Sequence, residues 1–353
     1  MSRHAFRCVP PLVALAFAVA LAACSGGGGS GAASLPAVSP TTPNQTPQTN
    51  AATLSGTVVD LPYDGSAESP GYSVMPNGTA APKGAPIAGA AVFVGPQILT
   101  STSAPATVPA GFAYAVTDAH GAFRVTNAPA GHAAVTIFAP APHDAVLHQD
   151  VTLASATPAT ATYYMTVPTS SESAWLVQEN EDRSAFGAPP VQLDEAVIEG
   201  ARYWSAFMKR NAYFAHCIPA SACVTGDTTP PPASYGPQDV DPSHRFYFEH
   251  GFSGASEGEN IATGFATWQL ADAAFMGERS LCPDDSATNC PFTETTGHFL
   301  NIIDAQYAWS GFGIVPPSAT SSYYTEDFAE VWQTAPHVSS EFPRRTFAAG
   351  LRS

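Results

Sequence analysis

Gly258-Glu259-Asn260-Ile261-Ala262 and Gly297-His298-Phe299-Leu300-Asn301-Ile302 are the stretches on which the reading of this chain turns. Phe214-Ala215-His216 precedes them and Tyr323-Tyr324-Thr325-Glu326-Asp327-Phe328 follows. Around them the helical period sets in from about Glu172. Leu193, Ala196, Val197, Gly200, Ala201, Trp204, Phe207 and Met208 recur at three- and four-residue steps, which predicts one long helix with a single apolar face. That helix is expected to run straight into Tyr213-Phe214-Ala215-His216, and a second helix is expected over Phe265 to Glu278. Tyr307 to Val315 and Ser321 to Val331, rich in aromatic and β-branched residues, read as strands. Helices and antiparallel-looking strands in this mixed order predict an α+β domain with α-β-α layers over residues 172–335. Residues 336–353 read as a peripheral tail.

Upstream the pattern changes. Residues 52–168 consist of short β-prone runs separated by turn residues, with no helix-period segment of useful length. Leu54 to Asp60 opens the region, Pro86 to Val94 continues it, and Asp118-Ala119-His120-Gly121 sits between two runs with a glycine suited to the left-handed position of a hairpin loop. Asp118 and His120 are read as turn residues rather than metal ligands, since a lone Asp-x-His has no further ligands nearby. The succession Gly-Thr-Val, Gly-Ala-x-Val, Thr-Asp-x-x-Gly-x-Phe and Pro-x-Gly resembles carboxypeptidase regulatory-like domains. That resemblance implies an all-β transthyretin-like sandwich, a spacer or binding unit without catalysis.

Residues 24–51 are Gly/Ser-rich and then Pro/Thr/Gln/Asn-rich, the composition of a flexible linker. Residues 1–23 combine Arg3 and Arg7 with the apolar run Val9 to Ala23, which reads as a secretory signal too short to span a membrane comfortably. Leu21-Ala22-Ala23-Cys24 looks like a bacterial lipobox, so Cys24 is expected to be acylated and to hold the protein on a membrane. The expectation is an exported protein, lipid-anchored in the bacterial cell envelope, on the outer membrane or cell surface.

With Cys8 in the signal and Cys24 acylated, Cys217, Cys223, Cys282 and Cys290 remain. An even set in an exported protein reads as disulfides, and the two close pairs make Cys217 with Cys223 and Cys282 with Cys290 the simplest of three connectivities. A zinc ion held by all four thiolates is the rival, though neither pair has the tight spacing such sites use. Lys+Arg 13 against Asp+Glu 29 gives a formal charge of -16, which repels phosphate backbones and argues against nucleic acid as a partner.

The four quoted C-terminal stretches resemble the CAP superfamily, the SCP-like or pathogenesis-related-1-like extracellular domains. The resemblance implies the α-β-α layered fold and a central cleft lined by His216, Glu259, Glu278 and His298. Neutral imidazoles at His216 and His298 could take a divalent, zinc-like metal, with carboxylates orienting them. The same cleft could bind a lipid, a small apolar molecule or an envelope component, and the four residues could equally form a structural network. A metal-dependent hydrolase is an alternative, as is an adhesion or scaffold protein. The chain has no His-Glu-x-x-His helix and no Gly-x-Ser-x-Gly elbow, and Ser253 and Ser256 belong to no nucleophile motif. The cysteine-rich hinge and the second signature of many eukaryotic relatives are not seen, so the domain resembles the compact bacterial type. Trp204, Phe207, Trp268, Phe275 and Trp309 could line an apolar groove, but aromatics at helical spacing usually pack inward.

Overall fold

The computed structural model describes residues 51–61, 84–223, 229–233, 240, 242, 257–283, 289–293, 295–315 and 322–330. The signal 1–23, Cys24, the linker before residue 51, Ser253, Ser256 and the tail 336–353 lie outside the described residues. Among the described residues no helix is long and apolar enough to cross a membrane.

The N-terminal region is β-rich. Its strands are β1 (Ala51–Leu61), β2 (Ala91–Gly95), β3 (Ala113–Val116), β4 (Ala122–Pro129), β5 (Gly131–Phe138), β6 (Ala145–Leu153) and β7 (Ala159–Thr166). One sheet has the order β4-β1-β7, and β2, β3, β5 and β6 belong to a second. Leu54, Val58, Phe123, Val125, Tyr163 and Met165 from the first sheet share a core with Val92, Val94, Val135, Ile137 and Leu147 from the second.

The turn over Asp118–Gly121 departs from expectation. It carries the chain from β3 to β4, which lie in different sheets, so it is a sheet-to-sheet corner and not a hairpin. Its local chemistry is as read: Gly121 has φ +68, and Asp118 Oδ1 accepts from the backbone N–H groups of His120 and Ala122 at 2.8 and 2.9 Å. The same turn chemistry serves either connection. What sends β4 to the other sheet is the pairing of Phe123 and Val125 with Gly56 and Leu54 of β1.

The C-terminal half holds α1 (Ser170–Ala185), β8 (Gln192–Asp194), α2 (Glu195–Asn211), β9 (Glu257–Thr263), α3 (Trp268–Gly277), α4 (Gly297–Ile303), β10 (Tyr307–Val315) and β11 (Tyr323–Glu330). A capping box starts α1: Thr169 Oγ1 accepts from Glu172 N–H, and the Glu172 carboxylate accepts from Thr169 N–H. Asp194 caps α2 through Ala196 and Val197 N–H. This helix ends at Asn211, short of the expected continuation, because Ala212 takes the left-handed conformation with φ 48.

β10 pairs antiparallel with β11, and β11 with β9. α2 covers one face of this sheet at very close range. A Cβ at Gly311 would lie 2.3 Å from Ile198 N, and one at Gly313 only 2.0 Å from the Ala201 carbonyl oxygen. On the opposite face Trp175 of α1 stacks on Phe312 of β10 and Trp268 of α3, with centroids 5.0 and 5.6 Å apart. The result is the expected α-β-α layering. Trp204, Phe207, Phe275 and Trp309 are buried, so most of the candidate groove aromatics are core.

One feature had no sequence signal. The three-residue β8 pairs parallel with β6 on one side and with β10 on the other, fusing both regions into one sheet of order β3-β2-β5-β6-β8-β10-β11-β9. At that seam His148 of β6 is fully buried, its Nδ1 2.7 Å from Asp194 Oδ2 and its Nε2 3.1 Å from the Leu99 carbonyl oxygen.

Candidate functional site

The chain leaves α2 through Ala212 and enters a tightly held turn that carries His216. Trp204 Nε1 donates to the Ala215 carbonyl at 3.1 Å, the Tyr213 hydroxyl donates to the Cys217 carbonyl, and Cys217 is bonded to Cys223. Glu259 stands on β9, which is held by its pairing with β11, Glu259 opposite Asp327 and Asn260 opposite Glu326. Glu278 opens the 3-10 turn Glu278–Leu281 after α3, followed by the Cys282–Cys290 disulfide. His298 lies in the first turn of α4.

These placements bring all four expected residues together as two imidazole–carboxylate pairs. His216 Nδ1 lies 2.9 Å from Glu259 Oε1, and His298 Nδ1 lies 2.6 Å from Glu278 Oε1. The two rings face each other with centroids 6.4 Å apart and an interplanar angle of 37°. Both imidazoles keep about a quarter of their surface exposed, at 26% and 24%, whereas Glu259 is 2% exposed. Phe275 of α3 lies against the His298 ring, 4.6 Å between centroids.

Glu278 has a second task. Its Oε2 accepts from the backbone N–H of His298 at 3.0 Å and of Phe299 at 3.4 Å, so one carboxylate satisfies the start of α4 and orients the imidazole that α4 carries. A carboxylate on Nδ1 fixes the proton of a neutral ring there and puts the lone pair on Nε2. Two rings held this way, 6.4 Å apart between centroids, are of the donor type that a cation or a polar ligand would use. Among the described residues no group of three or more His, Cys, Asp or Glu side chains is arranged to hold a metal. Two imidazoles fit a zinc-like cation in donor type and supply half of a tetrahedral set, leaving two positions for water or ligand. The rival four-thiolate zinc site is excluded, because all four cysteines are in disulfides.

Behind the pairs lies a polar ladder that the motif reading passed over. Asn260 Nδ2 donates to the His298 carbonyl at 3.1 Å and to Glu326 Oε2 at 2.8 Å. Asn301 Nδ2 donates to Asn260 Oδ1 at 2.9 Å and to the Glu259 carbonyl at 3.4 Å. Gly258 makes room for it, since a Cβ there would sit 3.0 Å from the Asn301 amide and 2.7 Å from the Tyr307 hydroxyl. The signal was in plain view: Asn260, Asn301 and Glu326 stand inside the stretches that define the cleft.

Deeper still is a group of buried acids. Burial pushes Glu179 up to about 8, against the pull of Arg183 and a hydrogen bond from Ser310. Burial pushes Asp272 up to about 6 and Glu326 well above the ordinary range. Arg183, also buried, spends its guanidinium on the carbonyls of Pro189, Ile302 and Tyr307.

No curated protein matches the sequence. Among solved structures, the chain is similar to an outer surface protein of Borrelia burgdorferi at 11% identity, covering 45% of this chain and 91% of that one, with a TM-score of 0.31. It is similar to an extracellular protein containing a SCP domain from Bacillus anthracis at 17% identity, covering 63% and 58%, with a TM-score of 0.29. A venom allergen-like protein of Schistosoma mansoni is 14% identical, covering 48% and 97%, with a TM-score of 0.26. The sequence model of the cysteine-rich secretory protein family, CAP, matches residues 179–328. That match runs from α1 to β11 and takes in His216, Glu259, Glu278 and His298, so residues 179–328 carry the match to the CAP family.

Proposed function

We propose that this is an exported, lipid-anchored protein of the bacterial cell envelope whose CAP domain binds a ligand between His216 and His298. A divalent, zinc-like cation is the ligand class its donors fit best. The observation that supports the reading is the double orientation: each Nδ1 is held by a glutamate, on a ring that keeps about a quarter of its surface exposed. A cation held there would supply positive charge to a site otherwise lined by carboxylates and could recruit a polar or anionic envelope component. His216 and His298 would hold it, Glu259 and Glu278 would orient them, and Phe275 would shield the His298 ring from water. The signal-like residues 1–23, Cys24 and the Gly/Ser-rich linker support the anchored placement.

The test is calorimetric titration of the full chain, purified without chelator, with Zn²⁺. His216→Ala and His298→Ala are each expected to weaken binding at least tenfold, and binding is expected to vanish on mild acidification because protonated imidazole cannot coordinate. If wild type and both variants titrate alike, the cleft is a structural network and the ligand-binding reading fails. For the anchor, Cys24→Ser is expected to leave the membrane fraction for the soluble one. Sedimentation with membranes after a high-salt wash would refute it.

A further inference from the structure

Glu326 occupies the α1-facing side of β11, fully buried. Its Oε2 accepts from Asn260, and its Oε1 has no hydrogen-bond partner. Both amide hydrogens of Asn260 are used, on Glu326 and on the His298 carbonyl, and its oxygen accepts a hydrogen bond from the amide of Asn301, which also donates to the Glu259 carbonyl. The backbones carrying one member of each imidazole–carboxylate pair are thus fastened to a single buried side chain. Resting on the reading of the cleft given above, we infer that Glu326 is a positioning residue for His298 and Glu259, acting through Asn260 and Asn301.

Such a residue works in this place as a neutral acid. The ionisable groups that act on it are Glu179, Asp182 and Arg183 of α1 and Asp272 of α3. Three of the four are acids. Arg183, the cation among them, is turned to three backbone carbonyls. A second buried carboxylate oxygen, Glu179 Oε1, is also without a partner. Two ionised carboxylates could not share this interior, and burial accordingly raises both groups. The sign follows: the folded protein holds protons that the unfolded chain would release above about pH 4 to 5, so stability falls as pH climbs through about 8, where Glu179 titrates.

Glutamine keeps the shape and the acceptor of a neutral glutamic acid; alanine removes the link. In the full chain, Glu326→Ala is expected to shift the imidazole resonances of His298 in metal-free ¹⁵N–¹H spectra and to weaken Zn²⁺ binding about tenfold. Glu326→Gln is expected to restore the His298 resonances and most of that affinity, and to melt with a shallower decline than wild type between pH 6 and 9. If Glu326→Ala does not fold, Asn260→Ala severs the same link from the site side and is expected to shift His298 likewise. Unshifted His298 resonances in the severed variant would overturn the inference, as would equal defects in the glutamine and alanine variants, or an unchanged pH slope in Glu326→Gln. If wild type itself takes up no Zn²⁺, the ligand reading falls, and the resonances and melting slopes still decide the positioning role.

Discussion

The same chemical pair, an imidazole against a carboxylate, stands in two regions of this molecule with opposite surroundings. At the seam, His148 and Asp194 are 0% and 1% exposed, and both ring nitrogens of His148 end on protein oxygens. At the candidate site, His216 and His298 keep about a quarter of their surface in solvent, with Nδ1 held by a glutamate. The first arrangement ties the N-terminal and C-terminal regions together within one sheet and caps α2. The second holds ring orientation at a place a ligand can reach. Burial, not residue identity, separates a structural histidine from a candidate binding one.

Removing the seam pair should have the largest effect. Asp194→Ala takes away the α2 N-cap, worth about 1 kcal/mol, and strands His148 in the core, where breaking a buried pair costs about 3 to 5 kcal/mol. Denaturant unfolding of Asp194→Ala and His148→Ala is expected to show losses in that range. A loss below about 1 kcal/mol for either would mean that the seam is held by apolar packing alone.

A middle-sized effect is expected from the disulfides that flank the cleft. The Cys217–Cys223 and Cys282–Cys290 bridges have sequence separations of 6 and 8. Each is expected to contribute roughly 2 kcal/mol in the chain-entropy model. Reduction should lower the melting temperature and loosen His216 and the turn after Glu278 while sparing His148. Hydrogen exchange resolved by segment checks this, and faster exchange at β6 and β8 on reduction would contradict it.

The smallest stability effect should come from the cleft histidines themselves. Because both imidazoles are partly exposed, His216→Ala and His298→Ala are expected to cost below about 1 kcal/mol each by chemical denaturation. If either costs as much as His148→Ala, the contrast between the two regions collapses.

Much of this contrast was legible in order but not in space. Ala196 to Met208 showed a helix because its period of three and four residues is a local property, whereas Leu193, expected on the same helix face, lies on β8. The helix ends sooner than that period predicts because Ala212, an ordinary helix former, takes the left-handed conformation where the chain turns toward His216. The Asp118–Gly121 turn was recognised, but its partner sheet was not, since a turn's chemistry is written in four residues while strand pairing is decided by distant ones. The cleft residues were found through their neighbouring motif residues, and the two cysteine pairs through their short separation. Asn260, Asn301 and Glu326 went without a role, because an asparagine or glutamate in sequence does not reveal that it is buried.

By itself, then, the sequence determined the periodic elements, the α-β-α layering and the disulfide partners, and it singled out four residues that the fold brings together as two pairs. Each of these rests on local spacing or on motif residues fixed in short stretches. Tertiary structure alone decided that β8 stitches two regions into one sheet, that His148 is interior while His216 and His298 meet solvent, and that a buried acid underlies the cleft. The physical reason is common to all three: burial, pairing and the cost of an unpartnered charge are properties of what surrounds a group, and the surroundings come from residues far away in the chain.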